Sequence, residues 1–141
     1  MKVLFDTNIV LDVLLAREPH VKNAALLLNL VDQGKIDGVL SATSVTTIHY
    51  LATKAVGARK AKRYLKNILA MFSVAPVDGR VIDQALELGF PDFEDAVLHQ
   101  AAVSAGCAAI VTRNRKDFMK ASLSVFDPAE LLAASDAAAF S

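Results

Sequence analysis

Asp6 stands directly after the apolar run Val3-Leu4-Phe5 and before Thr7-Asn8, so a carboxylate closes a segment that reads as a buried strand. A charge in that position is costly unless something cationic meets it. Two later stretches repeat the arrangement: Pro91-Asp92-Phe93-Glu94-Asp95-Ala96 opens an apolar helix, and Thr112-Arg113-Asn114-Arg115-Lys116-Asp117-Phe118 follows the apolar run Ala109-Ile110-Val111. Carboxylates about 5 Å apart repel by roughly 3 kcal/mol per pair at an effective dielectric of about 20. Such a cluster stays ionised only with a cation among it. An all-oxygen donor set without Cys or His selects Mg²⁺ or Mn²⁺ over Zn²⁺. The chemistry that suits it is hydrolysis of a phosphodiester, with a metal-bound water as the attacking hydroxide.

In this order and spacing the segments resemble the PIN domain family, the metal-dependent ribonuclease fold found in VapC-type toxins of bacterial toxin–antitoxin pairs. The resemblance is carried by Phe5-Asp6-Thr7-Asn8, by Asp92 and Asp95 at a helix start, and by Thr112-Arg113-Asn114 with Asp117-Phe118, and it runs from Met1 to about Leu132. It implies a divalent-metal-dependent endoribonuclease in which Asp6, Asp95 and Asp117 contact the ion directly or through water and Asp92 adds a further catalytic carboxylate. It also implies an RNA substrate, a small antitoxin partner whose tail covers the acidic cleft, and a homodimer built on the early helices. One position departs from the pattern: the family's usual Glu in the third helix is Thr47 here. A hydroxyl can bind a metal-bound water but brings no charge, so three outcomes stay open: a weaker site, recruitment of Asp12 or Asp92, or loss of activity.

Around the acids stand groups able to support them. Asn8 or Asn114 could donate amide hydrogen bonds to ligand carboxylates, and Thr7 or Thr112 could do so with hydroxyls. Asp12, inside the first helix, either lines the cleft from the second turn or faces solvent. Arg113 and Arg115 are placed to meet the scissile or a neighbouring phosphate. Blander roles compete with these: Asp92 as a helix cap, Asp95 as a partner of the helix dipole, Asp117 as a surface turn residue. Arg59, Lys62, Arg63 and Lys66 recur at helical spacing, a stripe that either is simply solvated or tracks a phosphate backbone, with Tyr64 among them able to stack on a base or to pack on Leu65 and Leu69. His20, His49 and His99 fall into no ligand or triad spacing and read as half-buried helix residues.

Composition narrows the field. The 141 residues make one domain, large enough to bury about two-thirds of the extended chain's surface. Hydrophobic residues are 54% of the chain and mean hydropathy is +0.39, yet no apolar run nears the ~18 residues of a membrane span. Lys and Arg number 15, as do Asp and Glu, so any contact with phosphates must be local. Cys107 is the sole cysteine, excludes an internal disulfide, and sits in a run that reads as buried. The first apolar stretch is too short for a signal peptide, and the cytoplasm is the expected location.

The elements that must position the acids alternate strand and helix. Strands are expected at Lys2–Phe5, Val39–Leu40, Ser73–Val77 as an edge, Ala108–Thr112 and Leu123–Phe126. Pro19 suits the first turn of a helix striped by Val21, Ala24, Ala25, Leu28 and Val31, and Gly57 separates two further helices. Asp78 and Asp127-Pro128 read as helix starts. The pattern predicts an α/β fold: a three-layer α/β/α sandwich around a central, mainly parallel sheet of about four to five strands, with residues 1–134 as the nuclease domain and 135–141 as a tail. In such sheets ligands bind beyond the carboxyl ends of the strands, where Asp6 and the segment after Val111 both lie. An alternative from another class is a catalytically silent PIN-like module that binds RNA or protein. A phosphatase of the haloacid-dehalogenase type ranks lower, because Asn8 occupies the place of its second Asp.

Overall fold

The computed structural model describes residues 1–139, with side chains through Asp136. Five strands, β1 (Lys2–Phe5), β2 (Asp37–Ser41), β3 (Ser73–Ala75), β4 (Ala109–Val111) and β5 (Ser124–Phe126), form one all-parallel sheet in the order β3-β2-β1-β4-β5. Leu4 lies opposite Val39 on one side and Ile110 on the other, which puts β1 at the centre. Helices α1 (Thr7–Leu14), α2 (Val21–Asp32), α3 (Ala42–Val56), α4 (Ala58–Met71) and α7 (Pro128–Ala139) supply one layer, and α5 (Gly79–Leu86) and α6 (Phe93–Ser104) the other.

Strand pleating explains the two cores. Val3, Phe5, Leu40, Ala109 and Val111 face Ile9, Leu27, Ile48, Ile68 and Leu131 on the first side. Leu4, Val39, Ala75 and Ile110 face Val81, Ala85, Val97 and Leu98 on the second. Both faces being covered, the strands carry no polar alternation, as the sequence predicts. Gly38 in β2 leaves room for Phe72: a Cβ there would stand 2.7 Å from the ring, which packs edge-on to Phe5 at 5.0 Å.

Local chemistry sets the helix ends. The Ser41 hydroxyl accepts the Thr43 N–H, Asp78 Oδ1 accepts the Val81 N–H, and Asp127 and Glu130 cap α7 reciprocally, each carboxylate accepting the other's backbone N–H. Gly57, at φ +89°, separates α3 from α4 in a conformation that side chains resist. Three expectations shift. Pro19 lies in the turn before α2, which starts at Val21; Leu27 replaces Ala25 in the buried stripe of that helix, Ala25 being exposed. His99 is fully rather than half buried, its Nε2 accepting the Ser122 N–H at 3.0 Å. α7 continues through 135–139, and residues 140–141 lie outside the described residues.

The sheet order reverses at β1. The chain passes from β1 outward to β2 and β3, then returns through α5 and α6 to place β4 on the other side of β1. The connections leaving β1 and β4 diverge there and open a crevice at their carboxyl ends.

Candidate active site

Asp6 occupies the first position after β1, on the rim of that crevice, and is only 7% exposed. Its Oδ2 accepts the Thr112 hydroxyl at 2.7 Å, and its backbone N–H donates to the Val111 carbonyl at 3.0 Å. Burial raises the pKa of this carboxyl; the Thr112 hydrogen bond, backbone N–H groups of Thr7 and Asn8, and the positive charge of Arg113 oppose that rise. The chain thus provides donors for an ionised Asp6 in a place where water alone cannot.

The α6 helix brings the second group. Asp92 caps it, Oδ1 accepting the Asp95 N–H at 3.0 Å, so the capping role weighed in the sequence is real and also fixes where Asp95 sits. The 3₁₀ turn Arg115–Phe118 after β4 brings Asp117. Asp6, Asp92, Glu94, Asp95 and Asp117 all line one pocket of about 300 Å³, together with Thr7, Asn8, Thr47 and Asn114. No described Lys or Arg lines it. Asp95 is pushed up to about 7, first by burial and then by repulsion from Asp6, Asp92, Asp117 and Glu94. That repulsion is the electrostatic signature of a site short of positive charge.

A divalent cation fits this donor chemistry, hard oxygens with excess negative charge. Among the described residues no three carboxylate, imidazole or thiolate groups stand close enough together to ligate one ion directly. An ion held by Asp6, Asp95 and Asp117 would therefore keep water in much of its shell, which is the habit of Mg²⁺.

The supporting residues divide. Thr112 holds Asp6 as expected, whereas the Thr7 hydroxyl donates to Ser44 Oγ at 2.8 Å and ties α1 to α3. Asn8 Oδ1 accepts from Arg17 at 3.3 Å, and the Asn114 backbone N–H donates to Thr112 Oγ1 at 3.1 Å. Thr47 lines the pocket, its hydroxyl donating to the Thr43 carbonyl at 3.2 Å.

Asp12 corrects the sequence reading in both of its forms. It neither lines the pocket nor meets solvent; it is fully buried and ion-paired with Arg113, Nε to Oδ2 at 2.8 Å and Nη2 to Oδ1 at 3.3 Å. A buried carboxylate takes the nearest guanidinium, so Arg113 is turned away from the pocket, with His20 Nε2 3.2 Å from its Nη1. Arg115 is also elsewhere, paired at 3.1 Å with exposed Glu130. The sequence reading missed Ser44 and the pocket walls Leu51 and Leu98, and gave no role to Glu94, which is exposed and lines the pocket. Adjacency to Asp95 at a helix start was the available signal for Glu94.

Comparison with known proteins fits this geometry. The chain is 25% identical over 134 residues to Ribonuclease VapC1 of Aquifex aeolicus strain VF5, covering 92% of each. Its fold resembles that in the crystal structure of VapBC2 from Rickettsia felis bound to a promoter DNA fragment, at TM-score 0.70 and 16% identity, covering 90% of this chain and 98% of that one. It likewise resembles DNA-bound VapBC from Salmonella typhimurium, at TM-score 0.70 and 17% identity, with 91% and 98% covered. The family model described as PIN domain matches residues 2–116, a span that holds Asp6, Asp92, Asp95, Thr112 and every strand but β5. With the sheet order, the acid-lined crevice and that match in agreement, this chain belongs to the PIN domain family.

Proposed function

We propose that this protein is a divalent-metal-dependent endoribonuclease that hydrolyses RNA phosphodiester bonds as the toxin of a toxin–antitoxin pair. The observation that carries the reading is the pocket itself: carboxylates from β1's end, α6's start and the turn after β4 share one crevice with no described Lys or Arg among them. PIN-domain ribonucleases generally depend on a divalent metal.

Asp6, Asp95 and Asp117 would hold the ion, Mg²⁺ or Mn²⁺. When bound, it supplies a water of lowered pKa and offsets charge on the phosphoryl oxygens. The chain's own part is positional. Thr112 keeps Asp6 pointed into the crevice, and Asp92 fixes the first turn of α6 and with it Asp95. Asn8 and Asn114, which line the same pocket as Asp6, would offer amides to the substrate or its water. A small antitoxin covering the acidic pocket belongs to the proposal, supported by the VapBC complexes whose fold this chain resembles; a homodimer and action in the cytoplasm complete it.

The test is cleavage of a labelled RNA by the purified chain with Mn²⁺, with and without Asp6→Asn. Cleavage that falls to background in Asp6→Asn, at unchanged fold, is the expected result. Undiminished cleavage by that variant would place the chemistry elsewhere. A wild type that binds RNA without cutting it would establish the silent-module reading, which Thr47 favours because it brings a hydroxyl to a wall where a carboxylate would add charge.

A further inference from the structure

The balanced net charge conceals a segregation. Between Asp37 and Asp78 the chain has no Asp or Glu but carries six cations: Lys54, Arg59, Lys60, Lys62, Arg63 and Lys66. Elsewhere nine Lys and Arg face fifteen Asp and Glu, a net of −6. All six cations belong to the α3–α4 hairpin, all six are exposed, and none is ion-paired among the described residues.

Their placement is ordered. Arg59, Lys62, Arg63 and Lys66 fall within about 100° of the α4 circumference, on the side opposite buried Ala61 and Ile68. Helix α3, against which α4 packs, contributes Thr47 and Leu51 to the wall of the acidic pocket. Tyr50, 59% exposed, stands between those two in sequence, and Lys54 Nζ lies 5.3 Å from the Tyr50 ring centroid. The hairpin therefore runs from the pocket wall through an aromatic face to a row of unpaired cations.

Resting on the nuclease reading above, we propose that the α3–α4 hairpin is the RNA-docking limb of this protein, with the α4 cations following the phosphate backbone of a single strand and Tyr50 stacking on a base. The acidic pocket repels a polyanion; a separate limb of opposite sign holds the strand while one phosphate is presented to the acids. Cations alone would take any polyanion. The exposed tyrosine beside them favours RNA over an acidic protein segment, because stacking has no counterpart in a carboxylate chain.

The experiment measures binding in EDTA, where no cleavage occurs, so its outcome is independent of the catalytic reading. The probe is a fluorescent single-stranded RNA of about 12 nucleotides, within the range of sites that such proteins cover. The full chain is compared with Tyr50→Leu and with a variant combining Arg59→Gln, Lys62→Gln, Arg63→Gln and Lys66→Gln. Expected are about a tenfold loss in Tyr50→Leu and a larger loss in the combined variant. The slope of log affinity against log salt should fall by about 2 to 3 in the latter, at about 0.7 per phosphate contact. Should the fourfold change impair folding, the pairs Arg59/Lys62 and Arg63/Lys66, replaced separately, should each remove about half of that slope. Unchanged affinity and slope in the folded variants overturns the proposal. So does a polyglutamate chain that competes with the RNA at equal charge concentration, which would mark the limb as a docking face for an acidic protein.

Discussion

Thr112 Oγ1 donates to Asp6 Oδ2 at 2.7 Å and accepts the Asn114 N–H at 3.1 Å, so one hydroxyl couples the end of β1 to the turn that carries Asp117. Thr112 is fully buried, and no water can substitute for it without a rearrangement.

Replacing Thr112 by Val should leave the buried Asp6 oxygen without its donor and cost about 1–3 kcal/mol of stability. Burial would then push the Asp6 carboxyl further up, since its largest opposing influence is gone. Calorimetric titration with Mn²⁺ should show affinity reduced by about 10- to 100-fold, with Thr112→Ser retaining it. Equal affinity in Thr112→Val would sever the hydroxyl from the site.

The acids should repel one another when no cation is present. Asp95→Asn is then expected to raise the melting temperature in EDTA at pH 8 while abolishing the rise that Mn²⁺ gives the wild type. Scanning calorimetry of both chains, with and without the ion, reads this directly. A wild type indifferent to Mn²⁺ would contradict the assignment of Asp95 as a ligand.

His99 gives a pH dependence of stability. Burial lowers its pKa, and its Nε2 accepts the Ser122 N–H, a bond that only the neutral ring can make. The unfolded chain therefore binds the proton more readily than the folded one, and stability is held above the unfolded value of about 6.5 and declines as pH drops below it. Urea titrations between pH 5 and pH 8 should show this decline, and a His99→Gln chain should show less of it. Persistence of the full decline in that variant would assign it to other groups.

Asp12 and Arg113 predict a structural phenotype rather than a catalytic one. Asp12→Ala strips the guanidinium of its buried partner and should cost about 3–5 kcal/mol. Because the pair joins α1 to the segment after β4, some loss of RNA cleavage should accompany it. Denaturant unfolding distinguishes the two, since a folded Asp12→Ala chain of wild-type stability would show that the pair contributes little.

The sheet was legible because strands buried on both faces announce themselves as unbroken apolar runs, and because Asp6 and Asp117 each follow one. The site's acids were legible for the same reason: chain direction alone puts them at one rim. Side-chain partners were not. Arg113 sits among residues that suit phosphate contact, and nothing in its neighbourhood shows that Asp12, 101 residues earlier, has taken its charge. Glu94 and Thr47 gain meaning only when α6 and α3 converge on one pocket. Total charge misled in a similar way, summing to zero over a molecule whose acids and cations occupy different limbs.

The adjacency of β1 and β4 has a consequence during synthesis. These strands pair across more than a hundred residues, Val3 beside Ala109, so the crevice has only one wall until the fourth strand has emerged. A growing polypeptide that ends at α6 already owns Asp6, Asp92 and Asp95 but has neither Thr112 nor Asp117. On the proposed function, catalysis has to await the pairing of the fourth strand with the first, whatever has already folded before it.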